Sequence, residues 1–192
     1  MRIPAALILL SSFLLSSRAW GGPPFVTDDP EPVELHHWEF YLASNYNHTS
    51  DTDSATLPEV EVNYGALPEL QLHMVAPAVY DSEAGSGTHY GLGDFELGAK
   101  YRFIQETGKR PQVGVFPLIE LPTGDEHRGL GNGRVQVFLP LWLQKSFGPW
   151  TTYGGGGWWY NPGQDHRDFW RIGWEVQRDL TLQRKACSTV GW

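Results

Sequence analysis

Charged side chains that could act as acids and bases recur at every second position in parts of this 192-residue chain. Glu59 and Glu61 form one pair of carboxylates, and Asp94 and Glu96 form another. This spacing places both members of a pair on one strand face about 7 Å apart, a separation that suits glycoside hydrolysis. Basic residues such as Lys100 share that face, however. We therefore interpret these charges as the lining of a polar lumen and do not predict an enzyme.

Histidines and glycines provide two further candidate sites. None of the seven histidines has the spacing of metal ligands, such as two histidines separated by three residues on a helix. No predicted helix follows the glycine-rich stretches 91–94 and 129–133, so the helix N-terminus that would hold a phosphate is missing. We interpret those glycines as strand entries and hairpin turns. We expect no metal and no cofactor.

The charges are positioned by an alternation of period two. From Asp94 to Phe103 the even positions are charged or small, and the odd positions are apolar. Successive side chains of a strand point to opposite faces, so one face is apolar and the other is charged. The same alternation in other runs identifies the candidate lumen-lining residues, which are Glu39, Glu59, Glu61, Glu69, His73, Asp94, Glu96, Lys100, Arg102, Glu120, Arg134, Arg171 and Glu175.

About eight runs with this period predict an all-β fold. Most are longer than the roughly 5–6 residues of soluble strands, and they approach the roughly 9–11 residues of a tilted transmembrane strand. Long polar connections at 47–56, 81–90 and 122–133 alternate with short ones. These features favour an antiparallel up-and-down transmembrane β-barrel. The runs lie near 38–46, 59–64, 69–80, 94–103, 112–121, 134–145, 150–160 and 170–177.

The chain divides into four predicted segments. Arg2, the apolar run 3–15 and the small residues around Arg18 predict a secretory signal peptide at 1–19, cleaved after Ala19. An N-terminal arm rich in proline and acidic residues follows at 20–37, the barrel domain occupies 38–180, and an atypical tail occupies 181–192. We expect export to the outer membrane of a Gram-negative bacterium, with insertion by the barrel-assembly machinery.

Charge and cysteine content narrow the class of protein. The formal net charge of −8 argues against a nucleic-acid partner, which would require a basic face. The single cysteine, Cys187, excludes an internal disulfide and a cysteine-based zinc site. After the signal peptide no stretch reaches the roughly 18 apolar residues of a transmembrane helix. A lipid bilayer would therefore be a partner of the strands.

Several motifs occur in a fixed order along the chain. They are PFVTDD at 24–29, GLGD at 91–94 with ELGAKYRF at 96–103, ELPTG at 120–124 with GLG at 129–131, and the segment 150–159. Together they resemble a bacterial outer-membrane family associated with the MetA pathway of phenol degradation. The resemblance covers residues 24–180 and implies a β-barrel that moves small hydrophobic or aromatic compounds, without catalytic residues. It also implies further strands after Leu180, where the alternation is lost, so we expect a truncated or frame-shifted end.

These observations predict a passive transporter or channel for small solutes, in which opposite charges on one face confer modest selectivity. Two alternatives remain open at this point. In the first, the chain is a soluble periplasmic β-sandwich whose apolar faces meet around a ligand. In the second, it is a structural barrel with a plugged lumen and no transport.

Overall fold

The computed structural model describes residues 27–83, 87–163 and 167–180. The predicted signal peptide at 1–19 and tail at 181–192 lie outside the described residues. Within the described ranges no helix is long and apolar enough to span a membrane. The regular elements are β1 (Trp38–His48), β2 (Thr52–Leu67), β3 (Leu70–Glu83), β4 (Gly87–Leu92), β5 (Phe95–Ile104), β6 (Gln112–Val115), β7 (Leu118–Leu121), a 3-10 helix (Glu126–Arg128), β8 (Gln136–Phe147), β9 (Trp150–Tyr160) and β10 (Phe169–Arg178).

All ten strands belong to one antiparallel sheet in the order β1-β2-β3-β5-β6-β8-β9-β10. The strand β4 pairs with the end of β3, while β5 pairs with its beginning. Thus β4 and β5 are two parts of one long strand, interrupted at Gly93 and Asp94. In the same way β6 and β7 together fill the position between β5 and β8. The ten strands therefore occupy eight positions, which confirms the predicted all-β antiparallel fold of about eight strands.

Two of the predicted long loops are wrong. Residues 47–56 and 81–90 lie mostly in hairpins, because β1 continues to His48 and β3 continues to Glu83. The backbone pairing carries on through these polar stretches, with Tyr46 opposite Ala55. Backbone hydrogen bonds of a sheet do not require apolar side chains, so a serine- and threonine-rich segment can continue a strand when a partner is adjacent. The connection at 122–133 is a loop that contains the 3-10 helix.

The two faces of the sheet differ sharply in exposure. In β8, Gln136, Phe138 and Trp142 are buried, whereas the intervening Leu139 and Leu141 are exposed. We call the face that carries Trp142 the inner face and the face that carries Leu141 the outer face. The burial of alternate residues follows directly from the period of two in the sequence.

An aromatic cluster fills one side of the inner face. It consists of Phe116, Phe138, Trp142 and Trp159, with Leu118 packed against it. The rings of Phe138 and Trp159 stack with their centroids 5.0 Å apart. The cluster members on β8, Phe138 and Trp142, alternate with the outward-facing Leu139 and Leu141, so both faces of this strand carry apolar side chains.

The four consecutive glycines of β9 let this strand approach β8 closely. A Cβ at Gly155 would lie 2.0 Å from the carbonyl oxygen of Leu141, and one at Gly157 would lie 2.3 Å from that of Leu139. Any larger residue would force the two backbones apart. Glycine at these positions also leaves space on the inner face beside Trp142, which is opposite Gly155.

Candidate functional site

A network of buried polar side chains occupies the inner face of β2 and β3. The Gln71 Nε2 donates to Asn63 Oδ1 at 2.8 Å, and His73 Nδ1 lies 2.7 Å from the same oxygen. The other ring nitrogen of His73 lies 3.1 Å from Glu96 Oε1 on β5. Asn63, Gln71 and His73 are buried with polar groups paired, as burial of polar atoms requires, while Glu96 is partly exposed. The network therefore forms a polar surface whose side chains are held in place by hydrogen bonds.

Two cations lie on the inner face of β5. Lys100 is buried, and its Nζ lies 2.9 Å from Asp28 Oδ1 and 5.0 Å from the centre of the Phe116 ring. Arg102 donates from Nη1 to Gln112 Oε1 at 2.7 Å and from Nε to Glu69. The Arg102 bond holds the pKa of the Glu69 carboxyl, which lies in the β2–β3 turn, below its usual value.

The N-terminal arm lies across the inner face, and residues 27–37 of it are described. Its Val33 N–H donates to Gln71 Oε1 at 2.9 Å, and Pro30 is fully buried. A Cβ at Gly114 would lie 2.9 Å from the Pro30 Cβ, so the ring of Pro30 packs directly on β6. The end of the arm is held by His36, whose N–H donates to the Gly65 carbonyl oxygen at 2.7 Å. The arm therefore bridges β2 to β6 over the polar surface.

A cavity of about 430 Å³ lies on one side of the arm. Four carboxylates line it, together with apolar side chains that include Val75 and Leu130. Such a wall can accept hydrogen bonds from a hydroxyl group while it packs against carbon. Among the described residues no group of three or more His, Cys, Asp or Glu side chains could hold a metal ion. The carboxylates are those of Glu59, Asp94, Glu96 and Glu120.

The loop after β7 closes one end of this cavity. Asp94 accepts hydrogen bonds from the backbone N–H groups of Gly124 at 2.8 Å and Asn132 at 2.6 Å. The Asn132 side chain donates in turn to Glu120 Oε1 at 2.6 Å. Asp94 and Glu120 thus attach the loop to the sheet as well as lining the cavity.

A second cavity of about 400 Å³ lies on the other side of the arm, next to the short turns. Its wall is mostly polar and includes Glu31 of the arm and Arg102 of β5. The remaining lining residues are Gln105, Glu106, Gln112, Gln144 and Ser146.

Eight of the thirteen predicted lining residues lie at the polar network, the arm or the two cavities, and the other five lie in turns, in connections or on the outermost strands of the sheet order. Glu39 is exposed on the edge strand β1, Glu69 lies in the β2–β3 turn, and Arg134 is exposed in the connection before β8. Arg171 on β10 lies 4.7 Å from the Trp159 ring, and Glu175 is opposite Tyr153. The structure brings together Glu59, Glu61, His73, Asp94, Glu96, Lys100, Arg102 and Glu120 on the inner face of β2, β3, β5 and β7 or at its rim.

The list of charged candidates misses two groups of inner-face residues. The first is a set of uncharged polar side chains with the same parity, namely Asn63, Gln71, Gln112 and Gln136, all of them buried. The alternation of the strands could have identified these four residues, because they occupy the same alternate positions as the charged candidates. The second is the acidic part of the arm, Asp28, Asp29 and Glu31, whose contacts with Lys100 and Arg102 are distant in sequence. The sequence does contain a signal for this contact. The arm is rich in acidic residues, and Lys100 and Arg102 are two neighbouring cations on one strand face that could pair with them.

Comparison with known families identifies a matching family model. The family model described as "Putative MetA-pathway of phenol degradation" matches residues 39–147. This range covers more than half of the 192 residues and runs from β1 to the end of β8. A search of curated proteins finds no match.

Proposed function

Because the chain belongs to this phenol-degradation MetA-pathway family, we propose that it is an outer-membrane β-barrel protein that lets small aromatic or hydrophobic solutes cross passively. The family match links the chain to a phenol degradation pathway. The location and the transport are our inference. In this proposal the predicted signal peptide directs export, and the barrel-assembly machinery inserts the strands into the lipid bilayer.

The observation that carries this proposal is the inverted polarity of the sheet. One row of paired residues on the outer face crosses seven strands and contains only apolar or aromatic side chains. The buried positions of the inner face include Gln71, Lys100 and Gln112. A protein folded in water buries its apolar residues and exposes its charged ones, so this arrangement suits a lipid-facing exterior. The outer row is Phe40, Val62, Met74, Leu97, Ile119, Val137 and Tyr160.

The alternative of a periplasmic sandwich would require a second layer over the outer face. Large apolar patches on a water-soluble surface are rare and usually mark contact sites. In the described ranges Leu139 is 53% exposed and Ile172 is 82% exposed, and no described element covers them. Lipid would cover the whole outer face at once.

The inner face offers a solute both polar and apolar contacts. At the larger cavity a phenolic hydroxyl could donate to Glu96 or Glu120 while its ring packs against Val75 and Leu130. The aromatic cluster around Trp142 adds ring surface on the same face. Contacts of this kind with several weak partners allow a solute to enter and leave, which passive movement requires.

Fractionation and flux measurements test this proposal. The full chain is expressed in a Gram-negative host, and we expect it in the outer-membrane fraction, with nothing released by osmotic shock. The purified protein is then reconstituted into liposomes, and entry of 4-hydroxybenzenesulfonate, a phenol too polar to cross lipid, is measured. We expect faster entry than into liposomes that contain the same protein after irreversible denaturation.

Two results would contradict the proposal in different ways. Recovery of the folded protein in the osmotic-shock fluid would support the periplasmic sandwich and exclude the barrel. The other result is a folded protein that reaches the outer membrane but passes neither solute nor ions in planar bilayers. If this holds both for the full chain and for a variant whose arm is released, it would support a structural barrel without transport.

A further inference from the structure

The N-terminal arm lies between the two cavities along the inner face. On β5, Glu96 lines the larger cavity, Lys100 binds the arm, and Arg102 lines the smaller cavity. On β6, Gln112 lines the smaller cavity, and Gly114 lies beneath Pro30 of the arm. The order of these contacts along two adjacent strands places the arm as a partition. A solute moving from one cavity to the other would have to pass it.

We propose that residues 27–33 form a strap that closes this passage, and that Lys100 and Arg102 hold the strap in place. The inference rests on the proposed transport function and adds a closed state to it. Opening then requires release of the strap from β5 and not a rearrangement of the sheet.

The contacts of the strap are specific and distributed along it. Asp28 and Asp29 lie 2.9 and 4.0 Å from the buried Lys100 Nζ, and Glu31 lies 3.7 Å from Arg102 Nη1. A buried ammonium that loses its carboxylate partners is strongly unfavourable, so Lys100 retains the strap. The fully buried ring of Pro30 and the buried Val33 add apolar contacts between these ion pairs.

The strap is nevertheless easier to displace than any strand. Its described residues before Leu35 make no strand pairing, and Leu35 forms only an isolated bridge with Gly65. Glu31 is exposed, and its bonds to Gln112 and Gln144 are long, at 3.5 and 3.4 Å. The closed state therefore depends mainly on side-chain contacts, which can break without unfolding the sheet.

The first test removes the ion pairs of Lys100. Asp28→Asn with Asp29→Asn neutralises both partners, and Asp51→Asn with Asp179→Asn makes the same charge change at exposed positions away from the strap. Loss of one charge-assisted hydrogen bond changes a two-state population by roughly tenfold. We expect roughly tenfold faster entry of 4-hydroxybenzenesulfonate in the strap variant and no change in the control. Circular dichroism verifies that both variants fold.

The second readout does not depend on transport. A water-soluble amine-acylating reagent is applied in detergent micelles, and modification of each lysine is followed by mass spectrometry. Lys100 should be protected in the native chain and react roughly tenfold faster in the strap variant, whereas the exposed Lys109 should react equally in both.

The two readouts separate failure of the strap from failure of the channel. If Lys100 becomes reactive, and the native chain passes solute but the strap variant passes it no faster, the strap does not close the path and the proposed channel remains supported. If Lys100 becomes reactive and neither protein passes solute, both the channel and the closing role are wrong. If Lys100 stays protected and flux is unchanged, the ion pairs do not hold the strap.

A covalent lock tests the strap without removing its charges. A Cβ at Gly173 would lie 3.1 Å from the Thr27 Cβ, close to the separation of about 3.5–4.5 Å in a disulfide. Thr27→Cys with Gly173→Cys, in a chain with Cys187→Ser, should therefore form a bond that fixes the strap. We expect flux in the oxidised form to fall to that of protein-free liposomes and to return on reduction. Equal flux in the two forms would overturn the proposal.

Discussion

Glu106 illustrates how one residue fastens a turn to a distant strand. It lies in the β5–β6 connection and accepts hydrogen bonds from Lys145 Nζ at 2.7 Å, the Ser146 N–H at 3.0 Å and the Ser146 hydroxyl at 3.3 Å. Burial alone would raise the pKa of Glu106, but these donors outweigh it and hold the pKa below its usual value. Nothing in the sequence near Glu106 indicates this contact, because its partners lie about forty residues later.

The substitution Glu106→Gln should destabilise the protein by about 1 kcal/mol at neutral pH, since the carboxylate is partly exposed and its ion pair is screened. A lowered folded-state pKa contributes stability above the unfolded value of about 4.3, and this contribution is lost as the pH falls through the folded-state pKa. The difference between wild type and variant should therefore shrink below about pH 4. Urea unfolding in micelles, followed by circular dichroism, measures it.

Glu34→Gln provides the control, because the side chain of Glu34 is 86% exposed. It should leave stability almost unchanged across the same pH range. A Glu106→Gln difference that is constant with pH would contradict the role assigned to the carboxylate charge.

The element that depends most on residue identity is β9. Its glycines let the backbone approach β8 and β10 more closely than a residue with a Cβ could. On the β10 side, a Cβ at Gly154 would lie 2.6 Å from the Gly173 carbonyl oxygen. The two neighbouring strands carry exposed apolar side chains on the outer face, among them Leu141 and Ile172. A distorted β9 would therefore disturb three adjacent strands together.

Gly155→Val should prevent normal β8–β9 pairing, because its Cβ would overlap the Leu141 carbonyl oxygen. We expect a loss of stability above about 3 kcal/mol or failure to fold. Gly108→Val is the matched control, since nothing lies within 4 Å of a Cβ there, and it should change stability by less than about 0.5 kcal/mol. Circular dichroism, together with the difference in gel mobility between folded and unfolded protein, measures folding and stability in both variants. Similar losses in the two variants would show that β9 has no special need for glycine.

At the scale of the whole molecule, the distribution of tryptophans follows the inverted polarity. Trp170 and Trp174 on β10 are 72% and 70% exposed on the outer face, whereas Trp142 on the inner face is 2% exposed. If the outer face contacts lipid, these two groups must differ in access to the acyl chains. The same difference would be absent if a protein layer covered the outer face.

Brominated acyl chains quench tryptophan fluorescence on contact, so they distinguish these positions. In liposomes, Trp170→Phe with Trp174→Phe should remove a large share of the quenchable fluorescence. Trp142→Phe should remove fluorescence without reducing the quenched amount, and it serves as the control. Equal effects of the two variants on quenching would contradict a lipid-facing β10.

The alternation of residue types predicted the strands and their two faces, because the side-chain period of a strand is a local property of the backbone. It also predicted most inner-face charges, such as Glu96 and Lys100. It failed at 47–56 and 81–90, where polar residues continue the strands. The reason is that pairing depends on a neighbouring backbone, which composition does not reveal.

By itself, the sequence determined the all-β class, the number of sheet positions and the segregation of charge from apolar side chains. Only the tertiary structure decided how the arm lies, since Asp28 meets Lys100 across 72 positions of chain. It likewise decided that the inner-face surface is divided into two cavities. Contacts of this kind depend on the strand order and on the curvature of the sheet. That curvature is the sum of many small twists between neighbouring strands. The alternation of the strands thus places charges such as Glu96 and Lys100 on the inner face, and the fold determines which of them meet.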